Sequence, residues 1–216
     1  MPNREVELKW EVDDERGLEQ LEAALGGTPA KVVRQRNVYF DAEHRLAAAG
    51  WSVRLRVEDD RNRLAIKGPR DDTAGYVARP ETPDVEVDDD AREAILDGED
   101  PLPYLLAALD ETPEGVFAQT VQDICAGLPL KRTGETNNER RKYPVSVAGL
   151  ELTVEIDRTD YAEHGVFYET ELEIPGTADE ATRDAVQAWL REIFERLGLP
   201  IREAPGKLAR LRALTA

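Results

Sequence analysis

The chain has 216 residues, with 45 Asp plus Glu against 28 Lys plus Arg and a formal net charge of −17. So acidic a chain is a poor general nucleic-acid binder, since phosphate contacts need clustered cations, and anionic membrane surfaces repel it. A single cysteine excludes an internal disulfide, and two isolated histidines argue against a His-rich zinc site or a His-centred triad.

No basic-plus-apolar leader opens the sequence and no apolar run approaches ~18 residues, so a cytoplasmic protein without a membrane partner is expected. Walker-type and GxGxxG loops are absent, which leaves the chemistry to carboxylates, Lys and Arg.

In chain order, REVELKWEV alternates Val6, Leu8, Trp10 and Val12 with Glu5, Glu7, Lys9 and Glu11, the pattern of a two-faced strand. Asp13 or Asp14 caps a predicted helix through Leu18, Leu21 and Leu25, which Gly26-Gly27 stops. KVVRQRNVYFD reads as a second strand. WSVRLRVE is a third, setting Trp51, Val53, Leu55 and Val57 against Ser52, Arg54, Arg56 and Glu58. DDRN turns the chain into RLAIKGP, where Leu64 and Ile66 oppose Arg63, Ala65 and Lys67. From about residue 88 to 127 the spacing is helical but broken by Pro101, Pro103 and Pro113, which predicts a helical insertion of two or three short helices. Strands then resume: a short LPLKRT, a hairpin of NNERRKYPVSV and LELTVEIDRTDY around Ala148-Gly149, and GVFYETELEIPG. ADEATRDAVQAWLREIFERLG is an amphipathic helix with Trp189, Leu190, Ile193, Phe194 and Leu197 on one face, and a short basic helical tail follows.

The polar faces of these strands form a pattern. One group is acidic, with Glu5 and Glu7 early and Glu151, Glu155, Asp157, Glu169, Glu171 and Glu173 late. The other is basic, with Lys9, Arg54, Arg56, Arg63, Lys67, Arg140 and Lys142. Any one such strand reads as a solvated face over an ordinary core. Successive like charges at ~7 Å steps along a strand are costly unless counter-charges sit between them. A closed sheet with its charged faces inside and its apolar faces covered by helices removes both costs, and eight strands enclose a ligand-sized interior. Carboxylates there suit a hard divalent cation and cations suit a highly charged anion, so the expected guest is a metal-bound polyphosphate.

The residues carry a family resemblance. EVELKW resembles the ExExK signature near the start of the CYTH group, the triphosphate tunnel metalloenzymes. QRNVYFDAEHRLAAAGWSVRLR is similar to the family's second strand, Leu-xxx-Gly turn and double-Arg third strand. LAIKGP, IDRTDY with ETELEI, and GKLARLRAL resemble later segments, with Gly206 where Ser is common. The resemblance implies an α+β fold: an eight-stranded antiparallel closed β-barrel, or tunnel, with a charged interior surrounded by helices, as one domain over 1–216. It implies binding of a triphosphate with Mg²⁺ or Mn²⁺. Glu5 and Glu7 then match the metal-binding ExE, and Glu171 and Glu173 the late metal ligands, with Glu169 as the register alternative. Lys9, Arg54, Arg56, Lys67, Arg140 and Lys207 match phosphate ligands. Asp157 matches a late acidic position that supports a second metal or the water. A one-residue slip would replace Arg140 by Arg141.

The expected activity is hydrolysis of a triphosphate, inorganic tripolyphosphate first, by a monomer or homodimer. A class IV adenylate cyclase, a thiamine triphosphatase and a non-catalytic polyphosphate or nucleotide binder are the alternatives. His44 reads as a surface residue and Cys125 as buried filler rather than a nucleophile.

Overall fold

The computed structural model describes residues 4–73 and 76–215, with the side chains of residues 4, 5 and 71–73 outside that description. Ten strands and seven α-helices follow in chain order. They are β1 (Arg4–Val12), α1 (Glu15–Ala24), β2 (Lys31–Asp41), α2 (Arg45–Ala48), β3 (Ser52–Glu58), β4 (Arg61–Lys67), β5 (Asp71–Thr73), β6 (Tyr76–Pro80) and β7 (Val85–Val87). Then come α3 (Asp89–Leu96), α4 (Leu102–Leu109), α5 (Gly115–Cys125), β8 (Lys131–Val147), β9 (Leu150–Asp160), β10 (Val166–Glu173), α6 (Glu180–Leu197) and α7 (Lys207–Thr215). The chain divides into two compact units of interleaved segments. One is built mainly from Gln35–Asp71 and Arg79–Glu135, the other from Glu5–Arg34, Asp72–Ala78 and Thr136–Ala216.

In the second unit the strands neighbour one another in the order β5-β6-β1-β10-β9-β8. β1 runs antiparallel to β10, β10 to β9 and β9 to β8. The apolar residues of these strands share one buried layer: Val6, Leu8, Trp10, Val12, Leu172, Val154, Ile156 and Tyr143. They pack with Leu18 and Leu21 of α1 and with Val186, Leu190, Ile193 and Phe194 of α6. Trp10 meets Phe194 edge-on at 4.9 Å, and α1 lies close enough that a Cβ on Gly17 would stand 3.0 Å from Val12 Cγ1. Asp14, rather than Asp13, caps α1, its Oδ1 accepting from Gly17 N at 2.8 Å. The β8–β9 hairpin turns at Ala148 and Gly149, both at positive φ (52° and 77°), as a two-residue I′-like turn requires.

In the first unit the order is β2-β3-β4-β7. Val38, Phe40, Val53, Leu55, Leu64 and Ile66 form its apolar layer against Leu46 of α2 and side chains of α3, α4 and α5, among them buried Cys125. The helical insertion is thus three helices. Asp41, which closes YFD, is a cap: its carboxylate accepts from the backbone N–H of Ala42, Leu46 and Ala47 at 2.7, 2.9 and 3.0 Å. His44 is exposed at the start of α2.

Two differences from the sequence reading stand out. LPLKRT and NNERRKYPVSV do not form separate strands; residues 131–147 run as one 17-residue strand through Gly134. The short β5, β6 and β7 were not anticipated, so ten strands replace the expected eight. The fold is α+β with antiparallel strands, and among the described residues β5 and β7 each have one strand neighbour, so the strand order is open between them.

Candidate functional site

Register decides which charged side chains share a face, because directly opposed residues of antiparallel strands project to the same side. Across the second unit Glu11 opposes Glu169, Glu169 opposes Asp157, and Asp157 opposes Arg140. One row along, Lys9 opposes Glu171, Glu171 opposes Glu155, and Glu155 opposes Lys142. Glu7 opposes Glu173 in the next row. The face opposite the apolar layer is therefore a lattice of carboxylates and cations.

The centre of this lattice is buried: Glu7, Lys9, Arg140, Asp157, Glu169, Glu171 and Lys207 are all withdrawn from solvent, Asp157 completely. Asp157 accepts two hydrogen bonds from Arg140, at 2.8 Å from Nε and 2.6 Å from Nη2, and a third from Lys207 Nζ at 2.7 Å. Lys207 Nζ also reaches Glu171 at 2.9 Å and donates to Glu169. Lys9 Nζ lies 3.1 Å from Glu169 and donates to Glu171. Arg140 further pairs with Glu171 and with Glu155, which Lys142 meets at 2.8 Å.

These contacts set the protonation states. Burial alone would raise the carboxyls of Asp157 and Glu171, but the charges of Arg140 and Lys207 hold both well below the ordinary carboxylate range. Burial likewise works against the ammonium of Lys9 and of Lys207, and the surrounding carboxylates outweigh it, keeping both above their usual value. Lys9, Arg140 and Lys207 thus stay charged beside ionised Asp157 and Glu171, which burial permits only because each is paired.

One carboxylate oxygen from each of Asp157, Glu169 and Glu171 lies within 4.8 Å of the others. An all-oxygen set of that spread fits a hard divalent cation such as Mg²⁺ or Mn²⁺.

The sequence-predicted residues sort as follows. Asp157, Glu169, Glu171, Lys9, Arg140 and Lys207 converge, and Glu7 is buried on the same face. The register alternative resolves in favour of Arg140. Arg141 points to the other side, where it pairs with Glu22 at 2.7 Å and Glu139 at 2.8 Å. Glu173 is exposed opposite Glu7 and stands apart from the three-carboxylate group. The Glu5 side chain lies outside the described residues.

Lys207 is brought in by backbone pairing: Glu203 bridges Trp10, Glu11 N donates to Arg202 O at 2.8 Å, and Ala204 N donates to Lys9 O at 3.0 Å. Sequence reasoning assigned no role to Glu155 or Glu11. Glu155 joins the network, and Glu11 pairs with Arg210 and Arg202. The two-residue spacing of Glu155 from Asp157 was the available signal.

In the first unit the remaining basic residues share a face of β2, β3 and β4. Asn37 opposes Arg56, which opposes Arg63, and Tyr39 opposes Arg54. Arg56 Nε donates to Asn37 Oδ1 at 2.9 Å, Lys67 pairs with Glu81 at 2.9 Å, and Arg63 pairs with Glu58 and Asp84 at 2.9 and 3.0 Å. Arg54 has only a loose 4.0 Å approach to Asp84, and its buried Nε has no hydrogen-bond partner among the described residues.

The sequence pattern of the CYTH domain matches residues 3–200, a span that leaves Lys207 beyond its end. Among solved structures, HpAC1 from Hippeastrum, a candidate adenylyl cyclase with a dominant triphosphatase activity, superposes with TM-score 0.76 at 23% identity over 97% of this chain and 95% of that one. A candidate adenylate cyclase from Bacillus halodurans gives 0.64 at 18% over 96% and 97%. PH1819 from Pyrococcus horikoshii OT3 gives 0.59 at 20% over 97% and 98%. No curated protein sequence matches. At these identities the structural likeness speaks for the fold.

Proposed function

This chain belongs to the CYTH domain family, and from that premise we propose that it is a divalent-metal-dependent triphosphatase whose first substrate is inorganic tripolyphosphate. The observation that carries the proposal is the buried lattice in which Lys9, Arg140 and Lys207 interleave with Asp157, Glu169 and Glu171. A purely structural ion-pair network gains little from so many buried charges. A site that must take up a polyanion together with cations needs both kinds of group.

In this reading Glu169 and Glu171, with Glu7 on the same buried face, would hold Mg²⁺ or Mn²⁺. Glu5 of β1 is a further proposed ligand, and Glu173, exposed and apart from the cluster, would at most join it at the margin. Lys9, Arg140 and Lys207 exchange their carboxylate partners for phosphate oxygens, Arg140 through its planar fork. Arg54, Arg56 and Lys67 are further phosphate ligands. The bound cation supplies charge neutralisation on the phosphates and a more acidic water. Asp157, held ionised and completely buried, helps position the attacking water, and the water's proton passes to a phosphate oxygen of the substrate rather than to so weak a base. The water oxygen forms the new bond to the terminal phosphorus, the bridging P–O bond breaks, and pyrophosphate leaves with the electron pair. The chain's share of catalysis is positioning and electrostatic stabilisation. The closed tunnel, the single domain, the cytoplasmic location and a monomeric or homodimeric state belong to the same reading.

HpAC1, described as having a dominant triphosphatase activity, supports hydrolysis over cyclisation. The test is phosphate release from tripolyphosphate, ATP and thiamine triphosphate with Mg²⁺, Mn²⁺ or Ca²⁺, with cyclic AMP measured in the ATP arm. Tripolyphosphate is expected to be cut fastest, and EDTA and Glu7→Gln to abolish turnover in a folded protein. Full turnover by Glu7→Gln sinks the site assignment, and cyclic AMP as the main product sinks the hydrolase.

A further inference from the structure

Asn37 lies mid-strand on β2, with no exposed surface, on the same face as Arg54 and Arg56. Its carboxamide orientation is settled by chemistry. Arg56 Nε is only a donor, so the oxygen of Asn37 must face it, and it accepts that hydrogen bond at 2.9 Å. The amide nitrogen then points away from Arg56, buried and without a hydrogen-bond partner among the described residues. The neighbouring Arg54 Nε and Arg63 Nε are buried donors in the same condition. Buried donors are rarely left unmet in folded proteins, and an unmet one calls for an explanation. Three on one face, all N–H and none an acceptor, describe a surface shaped for an anion's oxygens.

We propose that Asn37 is a direct substrate ligand: its Nδ2 donates to a phosphate oxygen while its Oδ1 holds the Arg56 guanidinium in position. The proposal rests on the triphosphate reading and adds a neutral donor to a set otherwise made of charges. A neutral donor contributes direction rather than charge neutralisation. It therefore favours a phosphate oxygen at one defined place over any anion of equal charge.

The test is calorimetric binding of tripolyphosphate with Ca²⁺, and KM and kcat with Mg²⁺, for wild type, Asn37→Ala and Asn37→Asp. Circular dichroism checks the fold, and Asn37→Ser replaces Asn37→Ala if the latter does not fold. A ligand role predicts about tenfold weaker binding for Asn37→Ala, the worth of one hydrogen bond to a charged group. Asn37→Asp should bind weaker still, because a carboxylate replaces the donor, with the loss mainly in KM. A role confined to orienting Arg56 predicts the reverse order, since Asp keeps the accepting oxygen and Ala does not. That order, or wild-type binding by both variants, overturns the proposal and leaves the triphosphate reading intact. Wild type that binds no tripolyphosphate overturns both.

Discussion

Asp157→Asn tests the energetics of the charged lattice in the most direct way. The substitution keeps the shape of the side chain but removes the charge that Arg140 meets at 2.8 and 2.6 Å and Lys207 at 2.7 Å. The position is completely buried, so water cannot make up the loss. Breaking a buried ion pair from one side costs about 3–5 kcal/mol. Arg140 keeps Glu155 and Glu171, and Lys207 keeps Glu169 and Glu171, which places the expected loss at the lower end, about 3 kcal/mol. At about 2–4 °C per kcal/mol for a chain of this size, the melting temperature should fall by roughly 6–12 °C at pH 7.

The pH sign follows from the depressed carboxyl. Its stabilisation is fully present above the ordinary Asp value of about 3.9 and is lost as pH falls through the lower folded value, so the gap between variant and wild type should persist down to about pH 4 and close below it. Differential scanning calorimetry across pH 3–7 reads both effects. A variant melting within a degree of wild type at pH 7 would show that the lattice relaxes around a neutral residue, and the pairing argument would fail.

Trp10→Ala removes a side chain packed between β1 and α6 and should destabilise by about 3–5 kcal/mol in a urea melt; less than 1 kcal/mol would mean that α6 does not need this contact. Tyr143 and Tyr76 are pushed up to about 12, by burial first and then by the nearby charges of Glu22 and Asp184 respectively. Ultraviolet titration should show these two phenols ionising late, about two units above the ordinary value of ~10. Because the folded value is raised, their contribution is present below pH ~10 and lost as pH climbs toward 12.

Alternation in β1, β3 and β10 identified which residues would share a charged face, since a strand's period of two leaves no other choice once the apolar face is covered. Arg140 against Arg141 was undecidable locally because both neighbours are Arg; the register with β9 opposes Arg140 to Asp157 and decides it. Lys207 sits on a basic helix whose own spacing has no preferred face, and the bridge from Glu203 to Trp10, 193 places earlier in no local pattern, is what delivers it. The strands β5–β7 are not legible in the sequence because three to five residues are too short a run to carry a readable period. β8 was split in reading because Gly134 resembles a break, whereas in the fold it is one residue inside a continuous strand.

The pairing of residues 202–204 with β1 also orders events in time. Glu11 and Arg210 are 199 residues apart in sequence, and Arg202 and Asp13 are 189 apart. At about 5–20 residues per second on the ribosome, β1 waits roughly 10–40 s for these partners. Through that interval Asp157, Glu169 and Glu171 are synthesised while Lys207 is still to come. The nascent cluster therefore carries surplus negative charge, and its balance is restored only when α7 brings in Lys207.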